Sequence, residues 1–144
     1  IIYNMLYFKI KQLSKKVSNT DWFGKNDLFV VIKYGEQVRR TSTLWNNNEP
    51  VWNEAFLFDV CDSELITLTI YDEDSWSKSE ELKSYKIPAK LQQIKKYETE
   101  FLTIEMGNIH YDLGTKIAKL ENQLQTMENQ VTEHFTGLKD ILKN

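Results

Sequence analysis

A single cysteine, Cys61, among 144 residues rules out an internal disulfide framework and is what a reducing compartment would favour. No His lies near it in sequence to act as a base, so it reads as a small packed residue at a strand end rather than a nucleophile. The two histidines, His110 and His134, have no Ser or Cys motif beside them, and enzymatic chemistry is not expected. No apolar run approaches the roughly 20 residues that span a bilayer as a helix, so any membrane contact should be peripheral. Basic excess is missing too: a net charge of −3 disfavours nucleic acid as a partner.

What is present divides at Gly114. Residues 113–144 carry four basic and four acidic residues, so the net −3 belongs wholly to residues 1–112. That first part reads as strands. Leu6-Tyr7-Phe8-Lys9-Ile10-Lys11 alternates apolar and polar with the period of a half-buried strand. Leu28–Tyr34 is β-branched and aromatic and stops at Gly35, Val51–Phe58 alternates after Pro50, and Glu64–Tyr71 is the clearest strand of all. Weaker patterns at 38–43, 82–88, 98–104 and 108–113 bring the number to eight. The spacing predicts an antiparallel β-sandwich over residues 1–113. Trp45 and Trp52 are expected to belong to it.

Residues 114–144 switch to a seven-residue period. Ile117, Leu124, Val131 and Leu138 alternate at 3–4 spacing with Leu120, Met127, His134 and Ile141, an a/d register held for four heptads. Seven of these eight positions are apolar. A helix of this length is marginal alone. The stripe Ile117, Leu120, Leu124, Met127, Val131, Leu138 and Ile141 should therefore pair with copies of itself, another chain or the sandwich, and is read first as a seam for self-association.

Two short stretches gather carboxylates. Asp21-Trp22-Phe23-Gly24-Lys25-Asn26-Asp27 lies between the first two strands, and Asp72-Glu73-Asp74-Ser75-Trp76-Ser77-Lys78-Ser79-Glu80 follows the Glu64–Tyr71 strand. Loops at one end of a sandwich can face each other, and clustered carboxylates repel unless a cation is present. Calcium suits them, since it accepts about 6–8 oxygen ligands in flexible geometry; zinc would want nitrogen and sulfur. A solvated acidic loop is the plainer reading. Against it stand Trp22, Phe23 and Trp76, aromatics at loop positions among the acids, a pattern suited to an interface.

The run Asn48-Glu49-Pro50-Val51-Trp52-Asn53-Glu54-Ala55-Phe56, followed by Leu68-x-Ile70-Tyr71-Asp72-x-Asp74, resembles the C2 domain, with Leu13-Ser14, Asp21 and Asp27 in matching order. The likeness covers residues 1 to about 113. It implies a mainly β, eight-stranded antiparallel C2-type sandwich in the circularly permuted topology, followed here by the coiled-coil helix. It also implies calcium-dependent docking on anionic phospholipid. Position by position, Asp21 and Asp27 would be the ligands of the first loop, Asp72 and Asp74 those of the third, and Glu80 would stand at the family's last aspartate. Trp22 and Trp76, with Phe23, fall where calcium-dependent members carry bilayer-entering side chains.

The chain departs from the family pattern in places. Leu28 stands for a usual Pro, Glu49 for Asn, Lys83 for a common Gly, and Glu80 is a methylene longer than Asp. The basic strand is reduced to Arg39-Arg40, a small basic patch that makes a specific inositide site unexpected. The resulting expectation is a cytoplasmic protein, peripheral at membranes, with Ca2+ as cofactor and self-association through the helix. The alternative is an assembly protein whose sandwich and helix contact a protein partner, with calcium absent or only structural.

Overall fold

Alternation along the first strand sets the packing. In β1 (Ile2–Leu13) the residues Leu6, Phe8 and Ile10 are buried, Tyr7 and Lys9 between them lie on the other face, and Leu13 is buried out of this phase beyond a register shift. The computed structural model describes residues 2–15, 27–47, 49–73 and 79–143, apart from the side chain of Tyr111. Among them β2 (Leu28–Tyr34), β3 (Gln37–Arg40), β4 (Val51–Asp59), β5 (Leu65–Asp72), β6 (Glu80–Pro88), β7 (Lys95–Glu98) and β8 (Leu102–Asp112) follow in order. One sheet has the order β4-β1-β8-β7 and the other β3-β2-β5-β6, giving the predicted antiparallel β-sandwich. The strands at its two ends, β1 and β8, are neighbours, the arrangement that circular permutation of a sandwich requires.

The core draws on both sheets. Leu6, Phe8, Ile10, Trp52, Phe58, Leu102, Ile104 and Met106 come from the first, and Leu28, Val30, Ile32, Tyr34, Ile66, Leu68, Ile70 and Ile87 from the second. Truncating a ring such as Phe8, which has no exposed surface, costs about 3–5 kcal/mol in such a setting. The Tyr34 hydroxyl reaches out of this core to donate to the Cys61 carbonyl at 3.2 Å, and burial pushes its ionisation up. Cys61 packs against the core as a half-buried side chain.

Two details correct the expected strands. The patterns at 98–104 and 108–113 are not separate strands: β8 runs unbroken from Leu102 to Asp112, and the turn before it falls at residues 99–101. Gly107 lies inside β8, where a Cβ would sit 2.4 Å from the Cα of Ile94. Its role is close backbone approach, not a turn. The second correction concerns Trp45, which is 58% exposed, whereas Trp52 is 6% exposed and in the core.

Two compact units divide the chain, Asn4–Ile109 and the set Ile1–Tyr3 with His110–Asn144. The second contains α1 (Leu113–Lys143), a 31-residue helix. Asp112 caps it: its carboxylate accepts the N–H of Gly114 at 3.0 Å and the Thr115 hydroxyl at 3.0 Å. The cap satisfies backbone donors of the first turn and sets a negative charge at the positive end of the helix dipole. No residue of α1 is buried. This helix is not long and apolar enough to cross a membrane.

Candidate cation site at the β2–β5 end

Strand register decides which acids meet. In the β2–β5 pair Leu28 lies opposite Asp72, and in the β5–β6 pair Asp72 lies opposite Glu80. The start of β2, the end of β5 and the start of β6 therefore share one end of a sheet. The ladder continues one step beyond it, where the Glu73 N–H donates to the Asp27 carbonyl at 2.8 Å. The sequence thus brings Asp27, Asp72 and Glu80 to one edge through nothing more than strand pairing.

Within that edge the carboxylates are used. Asp72 accepts the backbone N–H of Asp27 on Oδ1 at 2.9 Å, and Asp27 accepts the N–H of Asn46 on Oδ1 at 2.5 Å. Among the described residues each spends one oxygen on the backbone and keeps the other as a donor for a hard cation. Carboxylate and carbonyl oxygens are the donors calcium takes, and two carboxylates fall short of its usual shell of about 6–8 oxygens. Among the described residues no three His, Cys, Asp or Glu side chains form a group that could hold a metal ion. Asp21, Asp74, Trp22, Phe23 and Trp76 lie outside the described residues.

A second set of contacts braces the same end. The Arg40 guanidinium lies 3.7 Å over the Phe29 ring, which stacks on Tyr71 at 5.1 Å. Arg40 also pairs with Glu73 at 3.3 Å and donates to the Thr43 hydroxyl at 2.9 Å. The Thr43 hydroxyl donates to Glu73 in turn. That hydrogen bond first, and the Arg40 charge after it, hold the Glu73 carboxyl below its ordinary value. Arg39 sits one residue away on β3, so it points to the opposite face, and its guanidinium lies 5.4 Å from the Phe58 ring centre. The two arginines thus engage different rings on different faces.

Trp45 is the residue that sequence reasoning misplaced. Residues 41–46 run beside β2: Thr41 N–H donates to Val30 O and Leu44 N–H to Leu28 O, at 2.9 and 3.0 Å. Glu54 holds the same segment by accepting both the N–H and the hydroxyl of Ser42, and the buried Trp52 indole donates to the Ser42 carbonyl at 3.1 Å. Asn53, with φ of 51°, forms a bulge that lets β4 supply both contacts. Asn46, with φ of 50°, turns the chain immediately after Trp45 and binds Asp27. An exposed tryptophan therefore directly precedes the residue whose backbone N–H binds a candidate ligand.

The comparisons with known proteins agree with this architecture. The C2 domain profile matches residues 4–104. Synaptotagmin-5 of Arabidopsis thaliana is 30% identical over 156 residues, covering 97% of this chain and 27% of that protein. Protein C2-DOMAIN ABA-RELATED 4 of the same plant is 38% identical over 58 residues, covering 40% of this chain and 33% of the other. The chain thus spans a third or less of either relative's length. Among solved structures, a C2 domain of a plant Extended Synaptotagmin 1 superposes with a TM-score of 0.62 at 18% identity, covering 78% of this chain and 98% of that one. With its two four-stranded antiparallel sheets and a family match over well more than half its length, the chain belongs to the C2 domain family.

Proposed function

We propose that this protein is a non-enzymatic, calcium-dependent binder of anionic phospholipid membranes, multiplied by self-association of its C-terminal helix. The observation that carries the reading is the meeting of Asp27 and Asp72 at one sheet end, each with one carboxylate oxygen unbonded among the described residues, and linked through Asn46 to the segment that carries the exposed Trp45. Asp21, Asp74 and Glu80 are the further candidate ligands. Bound calcium supplies positive charge and open coordination positions for lipid phosphate.

The chain's own residues provide the rest. Without a cation, a first part carrying the whole −3 net charge is repelled by an anionic leaflet. Trp22, Phe23, Trp76 and Trp45 offer apolar surface to the bilayer interface. Half-burying one such ring, out of about 150–250 Å², stabilises the bound state by about 2–3 kcal/mol. One domain then binds weakly and reversibly. Two or more on one helical oligomer gain avidity of roughly 10²–10⁴ where geometry permits. The setting is the cytoplasmic surface of membranes.

Cosedimentation with phosphatidylserine vesicles tests the reading, with calcium and with chelator, for the wild type and Asp72→Asn/Asp74→Asn. Calcium-dependent pelleting that the double variant loses is the expected result. Wild-type protein that stays in the supernatant under both conditions overturns it, and directs attention to a protein partner for the same aromatic end.

A further inference from the structure

The helix α1 presents its seam to solvent along its whole length: Ile117, Leu120, Leu124, Met127, Val131, Leu138 and Ile141 are each at least 42% exposed. At about 1.5 Å per residue, 31 residues extend for roughly 46 Å. An apolar stripe that long calls for a partner. Composition alone does not say which partner or in which direction.

The positions flanking the seam do. With Ile117 and Leu120 at a and d, the g positions are Lys116, Gln123, Gln130 and Gly137, and the e positions are Glu121, Glu128, Phe135 and Leu142. In a parallel pair each g residue faces the e residue five places further on in the other copy. Lys116 then meets the second copy's Glu121, and Gln123 meets its Glu128, an amide against a carboxylate. Gly137 meets Leu142, an apolar side chain over a position with no Cβ. Among the described residues, apart from its chain neighbours and its own helix backbone, nothing lies within 4 Å of a Cβ built at Gly137, which leaves that space open to the second copy.

The antiparallel pair fares worse. Aligned so that its seam layers match, it sets Leu120 against Leu138 and brings e positions against e positions. Glu128 then faces its own counterpart, like charge on like charge, and Glu121 faces Phe135. The charged flanks are complementary in one direction only.

We infer that α1 pairs with a second copy of this chain in parallel and in register, with Lys116 of each copy facing Glu121 of the other. This rests on the self-association reading proposed above and adds its direction. The helix N-termini of both copies then lie at one end of the pair. Each sandwich is joined to its helix at that end, so both candidate sites are tethered to a common point. Covalent tethering to one end of the pair raises the effective concentration of the second domain once the first has bound.

Cysteine substitution in the full chain tests the direction. On a Cys61→Ser background, Leu120→Cys and Leu138→Cys are oxidised with copper phenanthroline, separately and mixed, and sedimentation velocity of the unmodified protein is run alongside. Parallel pairing gives a disulfide dimer from each single variant, because equivalent positions face each other. If single variants stay monomeric on a non-reducing gel and only the mixture cross-links, the helices are antiparallel and the inference is overturned while self-association stands. A wild type that sediments as a monomer at about 100 µM removes self-association itself, and the inference with it. Charge exchange supplies a second readout. Lys116→Glu should weaken the dimer about five- to twentyfold, for two pairs by symmetry, and adding Glu121→Lys should restore it. Failure of that restoration likewise overturns the pairing.

Discussion

Asp72 accepts the backbone N–H of Asp27 at 2.9 Å across the β2–β5 pair, so one carboxylate both closes the sheet end and faces the candidate cation site. The two roles separate on substitution. Asp72→Asn keeps an acceptor oxygen for the Asp27 N–H and removes the charge. Asp72→Ala removes both. Urea unfolding of the apo protein should therefore show Asp72→Asn close to wild type and Asp72→Ala destabilised by about 1–2 kcal/mol. Both variants should lose calcium-dependent vesicle binding. Equal stability of the two would mean that the hydrogen bond contributes nothing to holding the end together.

Trp45 is exposed, yet the segment that carries it is held by Ser42, Leu44 and Asn46 rather than by the indole itself. Trp45→Ala should thus leave thermal stability within about half a kcal/mol of wild type. Its affinity for anionic vesicles in calcium should fall by at least about tenfold, since half an indole's burial is worth about 2–3 kcal/mol. An unchanged vesicle titration would place Trp45 outside the membrane contact.

Glu73 is held below its ordinary value first by the Thr43 hydroxyl and then by Arg40. A carboxylate with a depressed folded value contributes stability above the unfolded value of 4.5, and that contribution is lost as the pH falls through the lower folded value. The predicted effect is small, because the Arg40 and Glu73 side chains are 49% and 31% exposed and water screens them. Comparing wild type with Glu73→Gln by urea unfolding between pH 5 and pH 3 checks it. The wild type should lose more stability over that interval than the variant does. Parallel curves would show that the Thr43–Glu73–Arg40 contacts do not bias the ionisation.

Hydrophobic period and turn residues were enough to read the sandwich, and most of its strands, from the chain alone. β1, β2, β4 and β5 fall where alternation and β-branched runs put them, because each turns one face with buried apolar residues to the core. The β7–β8 region was misread because the patterns at 98–104 and 108–113 do not show in one dimension where a strand ends. The close approach of the Ile94 backbone to Gly107 exists only once β7 and β8 are paired. Asp27, Asp72 and Glu80 could be placed at one sheet end from the sequence because each lies next to or at the end of a recognisable strand. Trp45 could not be placed, since one aromatic seven residues from another gives no sign of which is buried. The Ser42 hydroxyl donating to Glu54 and the Trp52 indole donating to the Ser42 carbonyl, twelve and ten residues apart in sequence, decide that.

Tyr85 is the most perturbed of the described tyrosines. Burial pushes its ionisation up to about 12 against an ordinary 10.0, and the hydrogen bond with Thr99 only partly offsets this. The sign follows from the unfolded chain, which ionises first. Stability is intact below pH 10 and declines as the pH rises from about 10 to about 12, by up to roughly 2–3 kcal/mol. Tyr85→Phe keeps the ring against Phe101, 5.2 Å away, and loses only the hydroxyl. At pH 7 it should cost about 1 kcal/mol for the lost hydrogen bond, while between pH 10 and 11.5 it should lose less stability than the wild type. Urea unfolding at the three pH values measures both differences. A variant that declines in parallel with wild type would exclude Tyr85 as a source of the alkaline loss.

His134 is the one polar residue in the seam of α1, at the d position between Met127 and Ile141, and in the single chain its imidazole lies against the neighbouring Phe135 ring, 6.4 Å between centres. In a parallel pair the two imidazoles share one layer, which breaks the apolar packing and disfavours alignments that would bury either one against leucine or isoleucine. Such a layer lowers affinity and sharpens register. His134→Leu should therefore tighten self-association by about tenfold or more, as gaining one buried aliphatic layer implies. It should also relax the register, so that the Leu138→Cys variant cross-links less completely despite the tighter dimer. Sedimentation equilibrium gives the first quantity and the non-reducing gel the second. Weaker association in His134→Leu would mean that the imidazoles hold the pair together by contacts of their own, and that the layer is attractive rather than merely discriminating.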